Sequence, residues 1–102
     1  MDQFLKKFKK VITFKTDNEI RTGLLKYSKI PDDYAFLFDF DDCQRRGFHT
    51  VGMKFNINLR FYNKDKKLVK EFYNLAPGIK RIDSEFPAMY AIEYSPDFKK
   101  GD

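Results

Sequence analysis

The chain has 102 residues, of which 42% are hydrophobic, 18% aromatic and 34% charged. This length and apolar content suit one core, so we predict a single domain over residues 1–102 and no disorder through its middle. The net charge of +5 admits a nucleic-acid partner. Five lysines crowd the first fifteen residues and five aspartates crowd residues 31–43, however, so a protein partner fits the charge pattern equally well.

The first half of the chain predicts a strand, a helix and a second strand. Residues 11–15 have a strand pattern and residues 17–19 a turn pattern. Residues 20–27 fit either a second strand or a short helix, and their apolar spacing favours the helix. Residues 35–40 place three phenylalanines on one face of a strand. Residues 41–47 predict a charged loop. The rings of Phe4 and Phe8 lie among lysines, and we expect them to pack on the domain rather than to lie on a membrane surface.

The clearest pattern is a hydrophobic alternation in the middle of the chain. From Phe55 to Phe61 every second residue is apolar, whereas Lys54, Asn56, Asn58, Arg60 and Tyr62 fall on the other side, which is typical of a half-buried strand. A polar turn over residues 63–67 and a second extended pattern over residues 68–73 predict a hairpin. Residues 89–95 predict a last strand, and residues 99–102 a frayed tail. We therefore predict a mostly β (α+β) fold, a small antiparallel, barrel-like sheet with one short helix.

Several segments also carry a family likeness. The run from His49 to Phe55, the strand that follows it, the segment Asn74-Leu75-Ala76-Pro77 and the late strand from Ala88 to Tyr94 resemble the domain of unknown function 192 family. The likeness extends from Arg21 to the C-terminus. It implies a compact, β-rich, barrel-like fold and a site near the His-Thr-x-Gly-Met motif, and it implies no activity. This chain has Asn56 and Asn58 where the family pattern carries Pro and Asp, which disfavours a base or a hard metal ligand there.

The leading hypothesis is a small, non-enzymatic module that binds a protein partner or a small-molecule ligand. Glycine lets a backbone approach a ligand closely, although the same glycine could simply form a bulge while its polar neighbours bond a loop. The candidate ligand-binding residues are His49, Thr50, Gly52, Met53, Asn58 and Cys43. No cofactor and no metal site is predicted.

Two alternatives remain open. A basic face with interleaved aromatic rings could bind RNA or single-stranded DNA, and it would consist of Arg45, Arg46, Lys54, Arg60, Tyr62 and Lys70. Cys43 and His49 could instead form a nucleophile and base, although a lone cysteine at a strand end is more often a small buried hydrophobe. No catalytic residue is assigned.

The lone cysteine excludes an internal disulfide. The sequence has no apolar run long enough for a signal peptide or a membrane span, so we expect a cytoplasmic protein.

Overall fold

The fold is organised around one five-stranded sheet. The computed structural model describes residues 1–99. The main sheet contains β1 (Lys10–Phe14), β2 (Tyr34–Gln44), β4 (Ile57–Tyr62), β5 (Leu68–Leu75) and β7 (Ala88–Tyr94) in the order β1-β2-β7-β4-β5. The short strands β3 (Gly47–Phe48) and β6 (Ile82–Asp83) form a separate pair, and the helices are α1 (Asp2–Leu5) and α2 (Asp17–Thr22). Neither helix has the length or the apolar character to cross a lipid bilayer.

The mostly β class is confirmed, but the sheet is neither wholly antiparallel nor closed. Strands β1 and β2 are parallel, whereas the other pairings of the main sheet are antiparallel. A parallel pair needs a long crossover, and the segment between Phe14 and Tyr34, which includes α2, supplies it. β1 and β5 lie at opposite edges, so barrel-like describes this sheet only loosely. The structure also has two short helices where the sequence predicted one.

The predicted hairpin is confirmed, with β4 antiparallel to β5, and the last strand is confirmed as β7. The predicted turn at residues 17–19 is wrong, because α2 already begins at Asp17. The Thr16 hydroxyl accepts a hydrogen bond from the Glu19 amide, while the Glu19 carboxylate accepts one from the Thr16 amide, which is a capping box. The predicted charged loop at residues 41–47 is also wrong over its first part, since β2 continues to Gln44 beyond an irregularity at Asp41.

Both faces of the sheet are covered, which corrects the expectation of a half-buried β4. The main face carries the larger apolar cluster, including Phe36 and Phe61, and packs under α2 and the loops. The opposite face is covered by the N-terminal segment, where Phe4 and Phe8 pack with Tyr94, as the sequence predicted for these two rings. Of the predicted tail, residues 100–102 lie outside the described residues.

Candidate functional site

An acidic side chain lies in the apolar core of the sheet. Glu93 is on β7, the central strand, in register with Phe36 of β2 and Leu59 of β4. Its neighbours Ile92 and Tyr94 belong to the cluster on the opposite face. Because side chains alternate along a strand, Glu93 lies on the face opposite to Ile92 and Tyr94. It shares the main face with the core residue Ala91, two positions earlier. Only 4% of Glu93 is exposed.

The protonation state of this carboxyl differs from that of an ordinary glutamate. Among the described residues the Glu93 carboxyl has no hydrogen-bond or ion-pair partner, and burial raises its pKa to about 8. Desolvation disfavours the charged form of an acid, and among residues 1–99 no neighbouring cation offsets this effect. At neutral pH the group is therefore mainly neutral, so it can donate one hydrogen bond and accept others.

Glu93 opens into a pocket of about 460 Å³, which we call the aromatic pocket. The size is within the range of small-molecule sites. Its rings come from β2 and β3, with Phe48 edge-to-face against Phe38 at 5.1 Å and against Phe40 at 5.7 Å. Aliphatic side chains and glycines complete the walls, and polar groups surround the opening. The lining residues are Ile20, Arg21, Thr22, Gly23, Leu24, Leu25, Phe38, Phe40, Gln44, Arg45, Arg46, Gly47, Phe48, His49, Met53 and Glu93.

Helix α2 supplies one wall of the aromatic pocket. Its capped N-terminus holds the helix in place, and it ends at Gly23, whose φ of +48° is a conformation that side chains rarely adopt. A Cβ atom at Gly23 would lie 3.4 Å from the ring of Phe38, so the glycine also sets how closely the helix end approaches β2. Arg21, in the last turn, lies at the opening of the pocket.

Two further arginines at the opening are held in defined positions. The Arg46 guanidinium lies 3.9 Å from the centre of the Phe40 ring, donates to the Ala88 carbonyl at 2.9 Å and pairs with Asp42. Arg45 donates two hydrogen bonds to Asp83, at 2.8 and 2.6 Å. That bidentate pair holds the pKa of the Asp83 carboxyl well below its usual range. The rim of the pocket is thus built from ordered guanidinium groups.

The structure brings only part of the predicted ligand site to the aromatic pocket. His49 is exposed at the opening and Met53 is buried in the wall. Thr50 is fully buried, and its hydroxyl donates to the Ala76 carbonyl at 2.7 Å while accepting from the Ile79 amide at 2.8 Å. These two hydrogen bonds tie the motif to the loop after β5, so the role of Thr50 is structural.

Gly52 and Asn58 lie outside the aromatic pocket. Gly52 is exposed in a turn, with a φ of +87°. Asn58 is buried on the opposite face of the sheet, beside Tyr94, and its side-chain oxygen accepts a 2.7 Å hydrogen bond from the amide of Asn74. That bond fixes an irregular point of β5, since Asn74 has a φ of +55°.

Cys43 and His49 line different depressions. Cys43 is half-buried, and it lines a second hollow of about 660 Å³ together with Val69, Phe86 and Pro87. His49 takes no part in that hollow. Cys43 and His49 therefore do not share a pocket, which counts against the hypothesis that they act as nucleophile and base. Within residues 1–99 no group of three His, Cys, Asp or Glu side chains is placed to hold a metal ion.

The residues of the predicted basic face are also dispersed. Arg60 and Tyr62 lie under the N-terminal segment, where the Arg60 guanidinium is 3.8 Å from the centre of the Phe4 ring and donates to the Tyr62 hydroxyl at 3.1 Å. The same guanidinium is 3.2 Å from a Glu71 oxygen, without hydrogen-bond geometry. Lys70 pairs with Glu85 at 3.0 Å.

Lys54 is exposed, whereas Arg45 and Arg46 lie at the opening of the aromatic pocket. The six residues therefore form no continuous surface.

Reasoning from the sequence missed Glu93 as a site residue. The available signal was a single charge inside the otherwise apolar and aromatic strand from Ala88 to Tyr94.

Comparison with solved structures shows the same fold in two bacterial proteins. A crystal structure from Sinorhizobium meliloti 1021, of a protein provisionally assigned as a transcription regulator, is similar with a TM-score of 0.78 and 20% identity, covering 90% of this chain and 77% of that one. A protein of unknown function from Novosphingobium aromaticivorans DSM 12444 is similar with a TM-score of 0.80 and 15% identity, covering 88% of this chain and 64% of that one. At these identities the likeness concerns the fold alone.

Comparison with curated proteins gives no match. The model of domain of unknown function 192, described as "Uncharacterized ACR", matches residues 3–100. The matched residues include every strand and all residues that line the aromatic pocket. This chain therefore belongs to the domain of unknown function 192 family.

Proposed function

We propose that the protein is a binding module and that the aromatic pocket takes a small organic ligand, with Glu93 as the polar contact at its floor. The observation that carries this proposal is the carboxyl of Glu93, which is buried without a partner among residues 1–99 and borders open space. Within residues 1–99, the Glu93 oxygens are not among the side-chain atoms that are fully buried without a partner, so they face the space of the pocket. A ligand in that space can form the hydrogen bond that the carboxyl lacks within the described chain.

The walls fit this proposal. Rings and aliphatic side chains provide apolar surface that a ligand can cover, and a few convergent polar groups set its orientation, which is the usual composition of a small-molecule site. Binding without catalysis remains the prediction made from the sequence, as does a cytoplasmic location. The predicted site at the His-Thr-x-Gly-Met motif is kept only through His49 and Met53, which border the pocket.

The test uses a neutral apolar dye, N-phenyl-1-naphthylamine, whose fluorescence rises in an apolar site. We expect saturable binding by the wild-type protein. His49→Trp places a large ring at the opening from an exposed position, and it should weaken binding at least tenfold without loss of folding. Tyr73→Trp is the matched control, since Tyr73 is exposed on β5 and away from the pocket lining.

The amide and side-chain resonances that shift during the same titration locate the dye. Shifts centred on Phe38, Phe48 and Met53 are expected. Absence of saturable binding, or equal weakening by both tryptophan variants, would contradict the proposal. A cytoplasmic location is tested separately by fractionating cells that express the chain.

A further inference from the structure

The charges around the aromatic pocket select among possible ligands. Four guanidinium groups lie at or next to its opening, since Arg21, Arg45 and Arg46 line it and Arg81 lies against the lining residue Gly47. Within residues 1–99, the carboxylates that act on them are Asp42, which pairs with Arg46, Asp83, which pairs with Arg45 and Arg81, and Glu85, whose charge also acts on Arg45. The four guanidinium groups therefore outnumber these three carboxylates.

Arg21 is the guanidinium best placed to receive a ligand. Unlike Arg45 and Arg46, it has no carboxylate partner among the described residues, and it is exposed in the last turn of α2 beside the opening. His49 stands at the same opening and is likewise exposed. An anionic group placed at the rim could therefore pair with the Arg21 guanidinium, and the positive potential of the other arginines would also attract it.

The interior of the pocket, unlike its rim, favours an uncharged part of a ligand. Its rings and aliphatic side chains are apolar, and its one ionisable side chain, Glu93, is mainly neutral at neutral pH because it is buried. A neutral carboxyl can donate a hydrogen bond to a carbonyl, ether or ring-nitrogen acceptor. A cationic ligand would have to pass the guanidinium rim, where like charges repel it.

We propose, on the basis of the binding function proposed above, that the ligand is an amphipathic organic anion. Its aromatic or aliphatic body occupies the aromatic pocket against Phe38 and Phe48, a neutral acceptor meets Glu93, and its carboxylate, sulfonate or phosphate group lies at the rim beside Arg21. This assigns Arg21 as a residue that determines the charge of the ligand.

The experiment compares three dyes on the folded protein. 1-Anilinonaphthalene-8-sulfonate has the same aromatic body as N-phenyl-1-naphthylamine with an added sulfonate, so the ratio of their affinities reports the contribution of the anion. Thioflavin T is the cationic probe. We expect the sulfonate to bind about tenfold more tightly than the neutral dye, to bind more tightly than thioflavin T, and to lose affinity as salt rises from 0.05 to 0.5 M because exposed charges are screened.

Arg21→Gln removes one charge and breaks no ion pair within residues 1–99. It should weaken binding of the sulfonate about two- to fivefold, the effect of one partly exposed ion pair, and leave binding of the neutral dye unchanged. Lys67→Gln is the matched control: it removes the same charge from the turn between β4 and β5, outside the pocket lining, and should change neither affinity.

The outcomes separate this inference from the proposed function. Equal affinity for the sulfonate and the neutral dye, tighter binding of thioflavin T, or equal losses in Arg21→Gln and Lys67→Gln would overturn the anionic ligand while leaving a binding pocket. No binding of any dye would remove the proposed function and this inference together.

Discussion

Glu93 should make the stability of the fold depend on pH in a direction opposite to that of most carboxylates. Its pKa is about 8 in the folded protein, against an ordinary value of 4.5 for the unfolded chain. Between these two pH values the folded state holds one proton more than the unfolded state. The free energy of unfolding therefore falls as pH rises through this window, and the contribution of Glu93 levels off below pH 4.5 and above pH 8.

The magnitude follows from the same linkage. Each pH unit inside the window is worth about 1.4 kcal/mol for one proton, so the contribution of Glu93 should decrease by about 2 to 3 kcal/mol between pH 5 and pH 7. Glu93→Gln has a similar volume and does not titrate. Its stability, measured relative to that of the wild type, should therefore rise by that amount over the same interval.

The assay is urea denaturation followed by far-ultraviolet circular dichroism at pH 5, 6 and 7. Other titrating groups are common to both proteins and cancel in the difference. Asp65→Asn serves as the control and should follow the wild-type slope, since Asp65 is exposed in the turn between β4 and β5. Glu93→Met provides a second non-titrating variant in case the buried amide prevents folding. Parallel pH profiles for wild type and both Glu93 variants would refute the raised pKa and the neutral floor of the pocket.

Three other substitutions test the packing around the site, each by urea denaturation. Thr50→Val should lower the free energy of unfolding by about 2 to 4 kcal/mol, because the Ala76 carbonyl and the Ile79 amide in the loop after β5 lose their partner. Thr50→Ser should retain most of the stability. Asn58→Leu should cost about 1 to 3 kcal/mol through the amide that it leaves unpaired, and an unchanged midpoint would show that this bond is dispensable. Phe4→Ala should cost about 3 kcal/mol or more, since it removes a buried ring from the opposite face of the sheet; a loss below about 1 kcal/mol would mean that the N-terminal segment is not docked there.

Local patterns predicted the parts of the fold that depend on neighbouring residues. The hairpin of β4 and β5 follows from alternation on either side of a polar turn, and the last strand follows in the same way. The start of α2 is also encoded locally, because Thr16 and Glu19 have the spacing of a capping box, whereas Asp17 and Asn18 between them are typical turn-forming residues. The parallel pairing of β1 with β2 could have been suspected from the order of strand, helix and strand.

The candidate site was predicted less well, for a reason visible at Asn58 and Glu93. Both are polar residues in strands, and alternation correctly separates Asn58 from Leu59. Alternation identifies which residues share a face, but it does not identify what covers that face. Asn58 is buried beside Tyr94 on the face that the N-terminal segment covers, and Glu93 borders open space because α2 and β3 leave a gap over the main face.

By itself the sequence determined a mostly β domain, its central hairpin and its likeness to an uncharacterised family, because these depend on periodicity and on motifs written along adjacent residues. Only the tertiary structure decided that the sheet is mixed and that a carboxyl lies buried beneath a rim of arginines. Arg21 lies on α2, Arg46 in the connection between β2 and β3, and Glu93 on β7. The energy of burying a charge is set by everything packed around it, and that surrounding exists only once those elements have met.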